Sequence, residues 1–208
     1  MERKTSLLLL VAAVMIAAGP AAATPLPSGQ TAQKWDFDNN SNPAIPEIDL
    51  NPYGIATAAI TGSASGPPAE WAADLLGRDG VWQAQEMLTI SLDIPNQMIA
   101  NPYKEIRLEI GFIGSLFDFS VFPIPIGGSV DLVGQQVVVV DPAAGWKKLT
   151  AKYIIEPNPD REVVCYAFSG ALAAIDYVIV KTTCVPEPMT ISLLGLGGLI
   201  LARRRRRS

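Results

Sequence analysis

Between residues 88 and 94 the chain reads Leu-Thr-Ile-Ser-Leu-Asp-Ile, and between residues 105 and 112 it reads Glu-Ile-Arg-Leu-Glu-Ile-Gly-Phe. Apolar side chains occupy every second position of both segments. Because successive side chains of a β-strand point to opposite faces, this period predicts strands with one face toward a core. We predict further strands at residues 35–37, 54–61, 135–140, 146–155, 162–168 and 174–182, and one short helix at residues 70–76.

Clusters of Gly and Pro separate the predicted strands and mark turns. They lie at residues 62–68, 95–102, 127–128, 141–142 and 157–160. Many short strands with this punctuation are typical of sandwiches and barrels. We therefore predict one all-β domain, a β-sandwich spanning residues 35–184.

Charge is distributed unevenly along the 208 residues. Of the 16 basic residues, two lie in the first four positions and five form the run 203–207. Between residues 24 and 188 there are nine Lys and Arg against nineteen Asp and Glu, or 9 − 19 = −10. An acidic domain argues against nucleic acid as a partner, because phosphate binding requires clustered cations. The chain has no histidine, which excludes Ser-His-Asp and Cys-His catalytic sets and His-ligated metals.

The N-terminal residues 1–23 have the pattern of a secretory signal peptide. Arg3 and Lys4 precede an apolar run of twelve residues, 7–18, and residues 21–23 are Ala-Ala-Ala, which signal peptidase accepts. A permanent anchor is the alternative, but twelve residues fall short of the ~20 that span a bilayer. We expect cleavage after Ala23, with residues 24–34 as a flexible lead-in, and export from the cytoplasm.

The C-terminal residues 185–208 predict a short membrane segment. A proline-rich motif comes first, then the uncharged residues 189–202, then an arginine cluster. Fourteen helical residues at ~1.5 Å each reach about 21 Å, against a hydrocarbon core of ~30 Å. The arginines hold the end of such a helix at the cytoplasmic face. The motif is Val185, Pro186, Glu187 and Pro188, and the membrane-retention cluster is Arg203, Arg204, Arg205, Arg206 and Arg207.

This order of motif, short helix and arginines resembles the PEP-CTERM protein-sorting signal. The resemblance implies recognition by an exosortase, a membrane protease acting near the Pro-Glu-Pro, and release to or attachment at the cell surface alongside exopolysaccharide. Met189 departs from the family, which has a small residue after the second proline. An ordinary short membrane tail is the alternative.

A second resemblance covers two short stretches of the domain. Residues 174–180, Ala-Ile-Asp-Tyr-Val-Ile-Val, are similar to the closing strand of jelly-roll carbohydrate-binding modules, and residues 35–37, Trp-Asp-Phe, to the opening strand. The resemblance implies a jelly-roll-like sandwich. It also implies calcium held between first and last strands, with Asp176 beside Asp36 or Asp38.

The best metal candidate in the sequence is a set of oxygen-bearing residues with EF-hand spacing. Positions one, three, five, seven and twelve are Asp36, Asp38, Asn40, Asn42 and Glu47. Ser41 replaces the glycine of position six, and Pro43 and Pro46 exclude the framing helices. A solvated turn, in which Asp and Asn cap their own backbone, is the alternative to a Ca²⁺ site.

Two tryptophans and two cysteines complete the candidates. Trp71 and Trp82 flank a glycine-containing turn and are our choice for stacking on a sugar ring, although either could pack in the core. Cys165 and Cys184 are the only cysteines, and export would permit a disulfide. If strands 162–168 and 174–182 form a hairpin, these cysteines are too far apart. A buried Cys165 and an exposed free Cys184 are then expected.

Three functions remain open. The first is a non-catalytic exported surface or matrix protein associated with exopolysaccharide, without a cofactor. The second is a carbohydrate-binding module, stabilised by Ca²⁺. A small glycoside hydrolase is the third, which we do not favour: Glu105 and Glu109 on one strand would lie roughly 13 Å apart, beyond the ~5–9.5 Å that glycosidases use.

Overall fold

The computed structural model describes residues 29–98, 101–125 and 127–185. Within these ranges the chain forms nine β-strands and no helix, so the predicted all-β class is confirmed. The strands are β1 Gln30–Trp35, β2 Ile48–Asp49, β3 Thr57–Gly62, β4 Glu70–Leu75, β5 Arg78–Pro95, β6 Tyr103–Ile124, β7 Ser129–Asp141, β8 Trp146–Glu156 and β9 Arg161–Val185.

All pairings between neighbouring strands are antiparallel. One path through the open sheet runs β2-β1-β9-β6-β8-β7, while β5 pairs with β9 and carries β3 and β4. Three long strands, β5, β6 and β9, hold this arrangement together with 18, 22 and 25 residues. The predicted strands 162–168 and 174–182 are therefore one continuous strand, not a hairpin.

The long strands β6 and β9 take part in two regions of the sheet. Residues 103–113 of β6 pair with the C-terminal part of β9, and residues 115–124 pair with its N-terminal part. The register shifts between them at Gly114, whose φ is +111° and whose added Cβ would lie 2.8 Å from the carbonyl oxygen of Ser169. Only glycine fits this bend without strain.

Core side chains connect the two regions face to face. The Phe112 ring lies 4.5 Å from Phe168, and the Phe119 ring lies 6.1 Å from Tyr153. The Tyr153 hydroxyl also hydrogen-bonds the Tyr166 hydroxyl. Every apolar side chain of the segments 88–94 and 105–112 is buried in this core. Two facing parts of one open sheet are consistent with a β-sandwich.

The predicted helix at residues 70–76 is wrong. These residues form β4 and the turn into β5, with Trp71 directly opposite Trp82. Leu76 and Gly77 both have positive φ, 50° and 77°, as in a tight type I′ hairpin turn. Pairing with β5 decides the conformation of a segment too short to form a stable helix alone.

The predicted boundary between a lead-in of residues 24–34 and a domain of residues 35–184 also needs correction. Residues 30–35 form β1, which pairs with β9. Thr31, Gln33 and Trp35 point inward and are buried, and the Thr31 hydroxyl lies 2.8 Å from the Thr182 hydroxyl. The described fold begins at Gly29 and continues to Val185.

The free edges of the sheet differ in how they are protected. The Asn42 side chain caps β3: its amide donates to the Ile60 carbonyl and accepts from the Ile60 N–H. Ala44 adds a β-bridge to Ala58. In contrast, β7 pairs with β8 alone in the described part of the chain.

Among the described residues no helix is long and apolar enough to cross a membrane. The predicted C-terminal helix at residues 189–202 and the signal peptide at residues 1–23 lie outside the described residues.

Candidate functional site

One face of the sheet carries charged side chains in rows across three strands. Register places Glu109 of β6 between Ile179 of β9 and Thr150 of β8, and Arg107 between Lys181 and Lys152. We call this surface the polar face. The polar face arises because side chains alternate along each strand, so the opposite side of these strands faces the core.

Ion pairs link the strands across the polar face. Glu105 contacts Lys152 at 2.6 Å and Arg107 at 2.5 Å, and Lys148 lies 3.7 Å from Glu109. Partial burial opposes ionisation of Glu105, but the hydrogen bonds and charges of Lys152 and Arg107 together lower its pKa. Glu105 is therefore held in its ionised form between two cations.

A depression of about 480 Å³ opens at one end of the polar face. Strand β1, the loop after it, the β4–β5 turn, β6 and β9 all contribute to its walls. Its charged residues are five acids and two bases: Asp36, Asp38, Asp79, Glu109, Asp176, Lys34 and Arg78. An acidic depression of this kind attracts cations and offers hydrogen-bond acceptors to hydroxyl groups.

Among the carboxylates of this depression that form ion pairs, Asp176 is the least exposed. Its carboxylate lies 3.6 Å from Arg78, and 13% of its side chain is exposed. Burial raises the pKa of Asp176, and the charges of Asp36 and Asp79 add to the effect against the attraction of Arg78. The protein thus holds acidic groups close together at this point.

Tyr177 lies across the backbone of Gly111 on the polar face. A Cβ at position 111 would come within 2.5 Å of the Tyr177 ring, so the glycine makes room for the aromatic side chain. The Tyr177 hydroxyl donates to the Glu109 carboxylate at 2.8 Å. Burial and then the Glu109 charge raise the pKa of Tyr177. A fixed, partly exposed ring beside carboxylates is a suitable surface for a sugar.

The structure places the predicted metal residues in two groups. Asp36, Asp38 and Asp176 line the same depression. Glu47 lies near position one of its loop. Its carboxylate accepts hydrogen bonds from the main-chain N–H groups of Asp36 and Asp38, at 2.7 and 3.2 Å.

The other two members of the metal set do not join them in a ligand set. Asn40 is exposed and Asn42 caps β3. Over residues 29–98, 101–125 and 127–185, no three acidic or cysteine side chains are grouped to hold a metal ion.

The two predicted stacking tryptophans belong to the hairpin and not to a loop. Trp82 is 5% exposed and packs in the core, so it cannot present a ring face. Trp71 is half-buried, packs against the same core and donates its indole N–H to the Phe37 carbonyl at 2.8 Å. The sequence analysis missed Tyr177, although its alternation with the buried Val178 and Val180 places it on an outer face. Asp176 reaches the same face through the register shift between Gly111 and Phe112.

Both cysteines are free thiols on the same strand, β9. The two thiols have different neighbours: that of Cys165 donates to the Ser91 hydroxyl at 3.4 Å, and that of Cys184 donates to Asn96 and Asn158. The disulfide prediction is wrong in this fold, and so is the predicted exposure pattern: Cys165 is half-buried and Cys184 is buried.

A buried polar cluster surrounds Cys184 at the end of β9. Lys104 and Glu162 are fully buried and lie 2.5 Å apart, and the thiol donates to the side-chain oxygens of Asn96 and Asn158. Burial raises the pKa of Glu162 although Lys104 opposes the shift. The sequence analysis missed this cluster. Ile106 and Val164 face the core, so the two-residue period of their strands also places residues 104 and 162 on the inner face.

Of the predicted sorting segment, Val185 alone is described. It is the last residue of β9 and lies opposite Tyr103. The N–H of Cys184 donates to the carbonyl of Gly29 at 2.8 Å, so the two ends of the described fold meet. Pro186, Glu187, Pro188 and the arginines 203–207 lie outside the described residues.

Comparison with known proteins leaves the chain without an assigned family. No family model matches the sequence, and no curated protein matches it.

Proposed function

We propose that this protein is an exported cell-surface or matrix protein, sorted by a C-terminal segment of the PEP-CTERM type and associated with exopolysaccharide. The observation that carries the proposal is the position of the motif. The sheet continues to Val185, and the Pro-Glu-Pro follows at the next residue. Signal and sorting segments thus flank one folded unit whose first and last residues are hydrogen-bonded neighbours.

We propose further that the open sheet is a jelly-roll-like β-sandwich acting without catalysis. The facing rings of Phe112 and Phe168 and the paired hydroxyls of Tyr153 and Tyr166 support a two-layer arrangement. Glu105 is held in ion pairs with Lys152 and Arg107, which supports a binding or structural surface over an acid-base pair.

Intact-mass measurement tests the sorting proposal. The full chain is produced in a Gram-negative host that carries an exosortase, and its envelope fraction is purified. We expect a mass that begins at Thr24 and lacks the arginine cluster. The variant Pro186→Ala/Pro188→Ala should keep its arginines, whereas the control Pro67→Ala/Pro68→Ala, altered in an exposed loop, should be processed normally. A cytosolic product carrying both ends would refute the proposal.

A carbohydrate-binding module is the second candidate, and Tyr177 is the observation that favours it. Its ring lies against Gly111 and lines the acidic depression, where it can contact a sugar while carboxylates accept hydroxyl hydrogens. The resemblance of the closing strand to such modules includes this residue.

A glycan array tests this second candidate. Tyr177→Ala should abolish binding, and Tyr177→Phe, which keeps the ring and removes the hydroxyl, should retain most of it. Tyr103→Ala serves as a control, because Tyr103 lies opposite Val185 at the end of the β6–β9 ladder, away from Tyr177. A parallel array with a chelator tests the Ca²⁺ prediction. Absence of binding to every polysaccharide would remove the candidate.

A further inference from the structure

We propose that β7 pairs antiparallel with β7 of a second copy of this chain, forming a two-fold dimer with a continuous sheet. The starting observation is a long unprotected edge. Strand β7 has thirteen residues and one partner, β8, in the described part of the molecule. Each residue from 131 to 140 is exposed. The exposed apolar side chains are Leu132, Val133, Val137, Val138, Val139 and Val140.

Apart from its bulges at Val133 and Val140, this edge lacks the devices that keep other edges from pairing. Proteins usually blunt edge strands with charges, proline, short length or a covering segment. Here β2 has two residues, β4 carries Glu70 and Asp74, and β3 is capped by Asn42. Residues 132–140 of β7 contain no charge and no proline.

A second copy of the same strand fits this edge. If the two β7 strands pair antiparallel with the two-fold axis near Gln135, the middle of β7, they align along their whole length. Residues 132–138 of each copy, all of them uncharged, then face residues 132–138 of the other. Asp131 faces Val139 and Asp141 faces Ser129, so no carboxylate lies directly opposite another. Such an interface is self-complementary and closes at two subunits.

The number of hydrogen bonds is adequate for a specific interface. An antiparallel ladder forms close to one bond per residue pair, so thirteen pairs supply on the order of ten bonds, the number found in a typical protein interface. The two bulges of β7 lie at Val133 and Val140, and the residues between them pair with β8 in regular register. The apolar side chains on each side of the ladder lose water contact as the sheet extends.

Sedimentation of the full chain in detergent micelles tests the proposal. The protein mass should correspond to a dimer and should not grow further with concentration. Gln136→Lys/Val138→Lys places four positive charges together across the two-fold axis and should raise the dimer dissociation constant at least tenfold. Ile45→Lys/Ile55→Lys adds the same charge at exposed side chains outside β7 and should leave the dimer unchanged. Circular dichroism of each variant confirms its fold.

Cross-linking through one introduced cysteine gives an independent test in a Cys165→Ser background, in which the remaining Cys184 is buried. Directly opposite residues of an antiparallel pair have Cα atoms ~4.5–5.5 Å apart, within disulfide range. Gln135→Cys or Gln136→Cys should cross-link to its copy. Ser129→Cys should not, because its copy lies at the far end of the ladder. A monomeric wild type, open-ended growth, an unaffected double-lysine variant, or cross-linking at Ser129 equal to that at both glutamines would overturn the proposal.

Discussion

At the scale of single residues, the buried pair Lys104–Glu162 is the interaction whose loss should matter most. Both side chains are fully buried, and one oxygen of Glu162, Oε2, has no hydrogen-bond partner among the described residues. Removing one member of such a pair leaves an uncompensated charge in a medium of low dielectric constant. The surface pair Lys152–Glu105 has water available to replace the lost contact.

Lys104→Met should therefore destabilise the protein by about 3 kcal/mol at pH 8, against at most about 1 kcal/mol for the matched variant Lys152→Met. The cost should be smaller at pH 5. The folded pKa of Glu162 is raised above its usual 4.5, so its contribution to stability is present below pH 4.5 and declines as pH rises through the folded pKa. Without the ammonium the folded pKa of Glu162 rises further, so the decline extends to higher pH. Urea unfolding at the two pH values measures the difference, and a cost independent of pH would contradict the argument.

A second residue-scale prediction concerns the glycine beneath Tyr177. Gly111→Ala should cost roughly 1–3 kcal/mol, because the new methyl group displaces a packed ring. Gly134→Ala is the matched control, since an added Cβ at that position meets nothing within 4 Å. Thermal unfolding reports stability, and near-ultraviolet circular dichroism reports the environment of Tyr177. Equal effects of the two substitutions would show that the ring does not rest on Gly111.

At the scale of elements, the Asn42 side chain forms hydrogen bonds with the edge of β3 that a neighbouring strand would otherwise form. This side chain satisfies both backbone groups of Ile60 at the free edge of β3. Asn42→Ala should lower the free energy of unfolding by about 1–2 kcal/mol, since two hydrogen bonds are lost. Asn40→Ala, on the same loop but exposed, should change it little. Denaturant titration compares the two, and equal stability would mean that the cap contributes nothing.

The strand period predicted the elements well wherever local pattern and long-range pairing agree. Leu88 to Ile94 and Ile106 to Phe112 point inward as expected. It failed between residues 168 and 174, where two separate strands were predicted and the structure has one continuous strand, β9. In the structure Gly170 lies 3.6 Å, measured from an added Cβ, from the Cα of Gly114, where the sheet bends. A glycine for a bend and a glycine for a turn have the same sequence signature.

The candidate site was predictable only in part, because it depends on which strands are neighbours. Asp36, Asp38 and Asp176 were selected from sequence, and they line one depression. Arg78 and Asp79 reach it from the start of β5, and the sequence alone did not show that this strand end lies near β1 and β9. Trp82 illustrates the opposite error: a residue next to a turn pattern is drawn into the core by pairing with Trp71.

At the scale of the whole molecule, the two ends of the described fold are adjacent. A circular permutant that joins Val185 to Gly29 through a short Gly-Ser linker and opens at the exposed residues Ala64 and Ser65 should keep the fold. Its thermal midpoint should stay within about 8 °C of the original, or about 2 kcal/mol. Opening β9 between Val178 and Ile179 instead should prevent folding. Circular dichroism melting compares the two, and failure of the first permutant would contradict the adjacency.

The central position of β9 has a mechanical consequence. β6 flanks this strand on one side over most of its length, and β5 and then β1 flank it on the other. Tension entering at Val185 is shared between two ladders of hydrogen bonds, and the bonds that run across the direction of pull must rupture together before the strand slides. A domain tethered through this residue should resist extraction more strongly than one held by an edge strand such as β7.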